Sequence, residues 1–188
     1  MRDDRGGARA CGIALALGFA LVISSCGGST SSASRRSTST ARSIRSSTLS
    51  AADAARGRVV ATYNAMWRDM AVAAATADYQ SPQLAQHAAG NALSLLVRGL
   101  YTNLRMGVVV KGQPVTHPTV ASLTPTSEPT SAAISDCFDD TNSLNYKATT
   151  GELQNNVPGG RHQTTATVKE TNGAWKVTEL QVGAVGTC

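Results

Sequence analysis

At Gly107 the hydrophobic period of this chain changes, and that change constrains its fold more than any other feature. Before Gly107 apolar residues recur every three or four positions; after it they recur every second one. Ser50, with Asp53 three residues further on, is a helix N-cap signal. The helix it opens is expected to run to about Ala77, with Val59, Tyr63, Met66, Trp67, Met70 and Ala74 on its apolar side. Ser81-Pro82 marks a second helix start, with Leu84 and Ala88 turned inward and Gly90 breaking the run. A third helix from Asn91 carries Leu93, Leu96, Leu100 and Leu104 and stops at Gly107.

Beyond that point strands are expected over 107–111, 116–123, 131–138 and 144–148, closed by a hairpin over 162–183. Asn172-Gly173 is a two-residue hairpin turn that sets the register of that hairpin, pairing Val168 with Val177 and Glu170 with Trp175. Helices first and antiparallel strands second is the pattern of an α+β fold, with the helices on one face of a curved sheet.

Only residues 51–188 read as this folded domain. Residues 1–10 carry three Arg against two Asp, and an apolar run of twelve follows at 12–23, too short to span a bilayer but the length of a signal-peptide core. Ile23-Ser24-Ser25-Cys26 comes next. This tetrapeptide resembles the lipobox of bacterial lipoproteins, which implies a signal peptide over 1–25 and lipidation at Cys26. The resemblance carries with it a diacylglyceryl group, and two acyl chains hold a protein stably at a membrane where one does not. The expected location is therefore the extracytoplasmic face of the cell membrane. Residues 27–50 are rich in Ser and Thr and nearly free of apolar side chains, so with Cys26 they read as a flexible tether. Its end-to-end distance should be roughly 25–30 Å.

A net charge of +5 invites a nucleic-acid reading, but its distribution argues against one. Arg35, Arg36, Arg42 and Arg45 lie in the tether with no acid among them, whereas from residue 51 onward ten basic residues balance ten acidic ones. The surplus sits beside the membrane, where anionic headgroups would attract it. The domain is neutral, and no nucleic-acid partner is expected.

With Cys11 removed in the expected signal peptide and Cys26 modified, Cys137 and Cys188 remain, and an even pair in an oxidising compartment reads as a disulfide. No Cys-x-x-Cys spacing and no neighbouring His supports a redox or metal site, and no cofactor is expected.

Three N-terminal helices before a sheet that ends in a long hairpin resemble the NTF2-like (cystatin-like) cone. The stretches Tyr63-Asn64-Ala65-Met66-Trp67, Ile134-Ser135-Asp136-Cys137, Pro158-Gly159-Gly160-Arg161-His162 and Gly173-Ala174-Trp175-Lys176-Val177 are also similar to a group of small actinomycete lipoproteins and secreted proteins with such a domain. That resemblance implies a fold and a location and brings no activity with it.

One residue has the makings of chemistry. Alternation over 132–138 puts Ile134, Asp136 and Phe138 on one face and Ala133, Ser135 and Cys137 on the other. A carboxylate among apolar side chains is the setting in which a general base works, and isomerases and dehydratases of the resembled fold place polar residues in such a pocket. Asp136 would then be the base, with His162 or Tyr63 assisting. The plainer readings are that Asp136 caps a loop, pairs with an Arg, or is turned outward by a bulge. His87 and His117 show no metal-ligand spacing, Asp139-Asp140-Thr141-Asn142 reads as Asx turns, and Trp67, Trp175 and Tyr63 read as core, with a cavity lined by them as the alternative because the resembled fold often leaves its cone partly open. The leading expectation is a non-enzymatic module binding an apolar small ligand or an envelope protein. The alternatives are a small isomerase- or dehydratase-type enzyme and an accessory subunit of an envelope complex.

Overall fold

A computed structural model describes residues 50–188. The expected signal peptide, the tether and Cys26 lie outside the described residues. The elements, in chain order, are α1 (Ala51–Ala74), α2 (Leu84–His87), α3 (Gly90–Arg105), β1 (Val108–Lys111), β2 (Thr119–Thr124), β3 (Ser131–Asp139), β4 (Leu144–Lys147), β5 (Arg161–Thr171) and β6 (Ala174–Val182). The fold is α+β: α1 and α3 pack on one face of an antiparallel sheet ordered β2-β3-β5-β6. No helix among the described residues is long and apolar enough to cross a membrane.

The start of α1 follows from its cap. Ser50 is extended (φ −60°, ψ 154°), and its hydroxyl oxygen accepts from the Asp53 N–H at 3.1 Å while the hydroxyl donates to the Asp53 carboxylate at 2.7 Å. The end comes three residues earlier than the periodicity suggests. Ala77 takes a left-handed backbone (φ 53°), and the Asp78 N–H reaches back to the Ala73 carbonyl at 2.9 Å, which closes the helix without a glycine. Helix α2 is one turn only: Ser81 and Pro82 form a turn ahead of it instead of its cap and first residue. Leu84 and Ala88 are buried as expected. In α3, Leu96 and Leu100 are buried and Leu93 partly so, but Leu104 stands 48% exposed on the last turn. Gly107, at φ 67°, ends the run.

The strands form two sheets rather than one. β1 and β4 make a separate antiparallel ribbon, and the connection from β1 to β2 meets the end of β3 at an isolated bridge between Val115 and Asp139. Pro118 has no N–H to give, and β2 begins only at Thr119, three residues later than expected. The closing hairpin has the register that its turn implies. Asn172 and Gly173 both have positive φ (51° and 78°), Val168 faces Val177, and Glu170 faces Trp175. A bulge opposite Thr167 and Val168 then shifts the phase of β6, so Val177 and Leu180, three apart in sequence, both point at the helices.

The core is the layer between sheet and helices. Val59, Tyr63, Met66 and Trp67 of α1 meet Ile134 and Phe138 of β3, Ala166 and Val168 of β5, and Trp175 and Val177 of β6. Cys137 points to the other face, as the alternation requires, and is disulfide-bonded to Cys188 with the two Cα atoms 5.9 Å apart. That bond closes a span of 51 residues and fixes the C-terminus to β3.

Candidate functional site

Asp136 is on the helix-facing side of β3 and is only 3% exposed. Both carboxylate oxygens have donors: the Tyr63 hydroxyl donates to Oδ2 at 3.0 Å, and the backbone N–H of His117 donates to Oδ1 at 2.6 Å. Two of the sequence-derived candidates are thus brought together. What they form is a latch, tying the segment before β2 and the middle of α1 to the sheet. Burial pushes the Tyr63 phenol far above the ordinary tyrosine range, and the Asp136 charge and hydrogen bond add to the rise. The Trp67 indole N–H, near the phenol oxygen but without hydrogen-bonding geometry, acts against it.

The third candidate goes elsewhere. His162 is paired with Phe138 in the β3–β5 ladder, whereas Asp136 is paired with Thr164, one inward-facing position away. Its imidazole turns toward the strand end instead, with Nδ1 2.9 Å from the Gly183 carbonyl and Nε2 3.3 Å from Asp140 Oδ1. The reading in which His162 assists Asp136 is corrected accordingly. Asp140 is the centre of this second cluster, because its Oδ1 also accepts from the Gly160 N–H at 2.6 Å. Pro158-Gly159-Gly160 is glycine-rich for a steric reason: a Cβ on Gly159 would overlap the Asp140 carboxylate. Asp139 forms the expected Asx turn. Thr141, through its hydroxyl and its N–H (2.9 Å to Oδ1), holds the Asp139 carboxyl below the usual carboxylate range.

Beside this cluster opens a cleft of about 450 Å³. Trp67, Met70, Val110 and Phe138 give it an apolar wall, and Asn103 and Asp140 are among its polar lining. Its aromatic wall is pre-formed: the Trp67 and Phe138 rings lie 4.1 Å apart at 31°, continuing a row that starts with Tyr63 edge-on to Trp67. Volumes of roughly 300–1,000 Å³ with apolar walls and a few placed polar groups are usual for small-molecule sites. Neither Asp136 nor Tyr63 lines this cleft. Among the described residues no group of three or more His, Cys, Asp and Glu side chains is placed to hold a metal. His87, read as no ligand, is bonded to Asp69 at 2.6 Å.

Of the three aromatics that the sequence left open as a cavity lining, Trp67 walls the cleft while Trp175 and Tyr63 do not, and Met70, also on the apolar side of α1, stands beside Trp67. The signal available for the rest of the cleft was the pair of short β strands around Gly112. The Gly112 Cα lies against the Asn142 carbonyl so closely that no Cβ fits. This close approach of β1 and β4 builds the far wall.

No protein-family model matches the chain, and no curated protein matches it. Solved structures do. The intermembrane space region of the chloroplast protein ARC6 aligns with 71% of this chain and 96% of its own, at a TM-score of 0.51 and 18% identity. A protein of unknown function with a cystatin-like fold from Nostoc punctiforme aligns over 74% of this chain and 96% of its own, at a TM-score of 0.43 and 12% identity. At such identities the likeness to the first is one of fold.

Proposed function

We propose that this chain is an exported lipoprotein, anchored through Cys26 at the extracytoplasmic face of the membrane, whose NTF2-like domain is a non-enzymatic binding module. The observation that carries the binding part is the pre-formed cleft walled by Trp67 and Phe138. A rigid aromatic wall offers a large contact area at little ordering cost, which favours a small, largely apolar ligand. An isomerase- or dehydratase-type reaction at Asp136 has less support. Its carboxylate is enclosed, both oxygens already accept hydrogen bonds, and it does not line the cleft.

Native mass spectrometry of the full lipidated chain, extracted gently from an exporting host, tests the binding part. A small molecule that leaves on denaturation is the expected result; a spectrum with no such mass would sink it. Anchoring is tested separately, by moving the protein from the membrane to the soluble fraction with Cys26→Ser. A second reading, docking on an envelope protein, draws on the end of α3, where Tyr101, Leu104 and Met106 are 46%, 48% and 64% exposed. Crosslinking in intact cells, lost in Leu104→Glu, would favour it.

A further inference from the structure

The cleft has a polar annexe. A smaller recess of about 200 Å³ shares Trp67 and Pro114 with it, so the two adjoin, and the remaining lining of the recess is Asn64, Arg68, Gln113 and Thr116. The two compartments differ in character. Arg68 is the one ionic side chain lining the recess, and among the described residues it forms no ion pair. Its nearest acidic neighbour in sequence, Asp69, is already engaged with His87. Asn64 accepts from the Thr116 hydroxyl at 2.9 Å through its Oδ1, which leaves its amide N–H groups as donors beside Arg68. In the cleft the one ionic side chain is Asp140, whose Oδ1 is already occupied by Gly160 and His162.

We infer that the ligand of this site is an anionic amphiphile. Its apolar body lies against Trp67, Phe138 and Met70, and its carboxylate, sulfonate or phosphate head is held in the recess by Arg68 with the amides of Asn64 and Gln113. This rests on the cleft being a binding site, as proposed above, and adds the chemistry of its occupant. A guanidinium with amide donors around it is a recognition set for an oxyanion, and it offers little to a neutral or cationic head. Sitting at the edge of the apolar wall, it also fixes the direction in which the ligand enters.

A matched pair of fluorescent probes tests the inference on the full chain. Anilinonaphthalene sulfonate and phenylnaphthylamine share an apolar body, and only the first carries an anion. The sulfonate should bind roughly five- to tenfold more tightly at low salt, and the difference should shrink as salt screens the partly solvated guanidinium. Arg68→Gln should bring the sulfonate down to the affinity of the neutral probe and leave the neutral probe unchanged. Ala71→Trp, a half-buried position on the cleft wall, should block both probes while circular dichroism remains that of the parent. Equal binding of the two probes, or an Arg68→Gln variant that keeps the sulfonate preference, overturns the anion inference and leaves the cleft standing. Failure of both probes to bind, or binding that Ala71→Trp does not touch, overturns the cleft reading as well.

Discussion

Replacing Tyr63 by Phe removes one oxygen from the centre of the domain and leaves the ring that packs against Trp67. The cost follows from what that oxygen does. Tyr63 is fully buried and Asp136 is 3% exposed, so after the change Asp136 Oδ2 loses its donor and water has little access to replace it. Hydrogen bonds to charged groups are worth about 1.5–3 kcal/mol, and the upper figures for breaking a buried ion pair do not apply, because the His117 N–H still holds the other oxygen. A loss of about 2 kcal/mol is expected at neutral pH, or a fall in Tm of roughly 5–10 °C for a domain of this size. Alkaline pH gives a sharper signature. The folded phenol is held protonated far above the range in which it ionises in the unfolded chain, near 10. The folded state therefore binds the proton more tightly, and this contribution is complete below pH of about 10 and is lost as pH rises beyond it. By pH 11 the parent should have lost about 1.4 kcal/mol that Tyr63→Phe never had, so the gap between the two narrows. Urea unfolding of both proteins at neutral pH and in short exposures at high pH measures this directly. Equal stabilities at neutral pH, or a gap that stays constant into the alkaline range, would refute the latch.

The double substitution Cys137→Ser with Cys188→Ser opens the 51-residue span, and denaturant unfolding should show a loss of about 4 kcal/mol on the chain-entropy model. Gly173→Ala places a Cβ at φ 78° in the hairpin turn, which should cost about 1–2 kcal/mol in the same assay. Gly159→Ala pushes the backbone off Asp140 and breaks the 2.6 Å bond to Gly160. Limited proteolysis should then cut within 152–160 much faster while the core resists.

Much of the fold was legible because local signals agreed with one another. The capping pair Ser50 and Asp53, the stop at Gly107 and the turn at Asn172-Gly173 each act within a few residues, and each appears where the chemistry of those residues demands. What escaped depends on partners far away in sequence. Leu104 continues the apolar stripe of α3 yet stands 48% exposed on its last turn, because burial there depends on what the rest of the chain brings opposite it. β1 and β4 have strand-like sequences, but they pair with each other and not with the main sheet, and periodicity within a strand does not name its partner.

The candidate site divides along the same line. Alternation alone placed Asp136 among buried side chains, and it is there; the residue that completes its environment, His117, contributes a backbone N–H, which no side-chain pattern reveals. His162 lay on the correct face yet two ladder positions away from Asp136, so facing was legible and reach was not. The cleft is further removed still. Its walls come from α1, from the β1–β4 ribbon and from the end of β3, and it exists because that ribbon stands apart from the main sheet and leaves room beside Trp67 and Phe138. A polar residue in a strand pattern drew attention to Asp136, where the fold uses it for stability. The surface better suited to a ligand is built from core residues at the border of the core, with Arg68 next to Trp67 on α1 supplying the charge. On a helix that turns about 100° per residue, an aromatic facing the core and the Arg that follows it bracket the edge of the apolar stripe, and an amphiphile is the ligand that such an edge can hold.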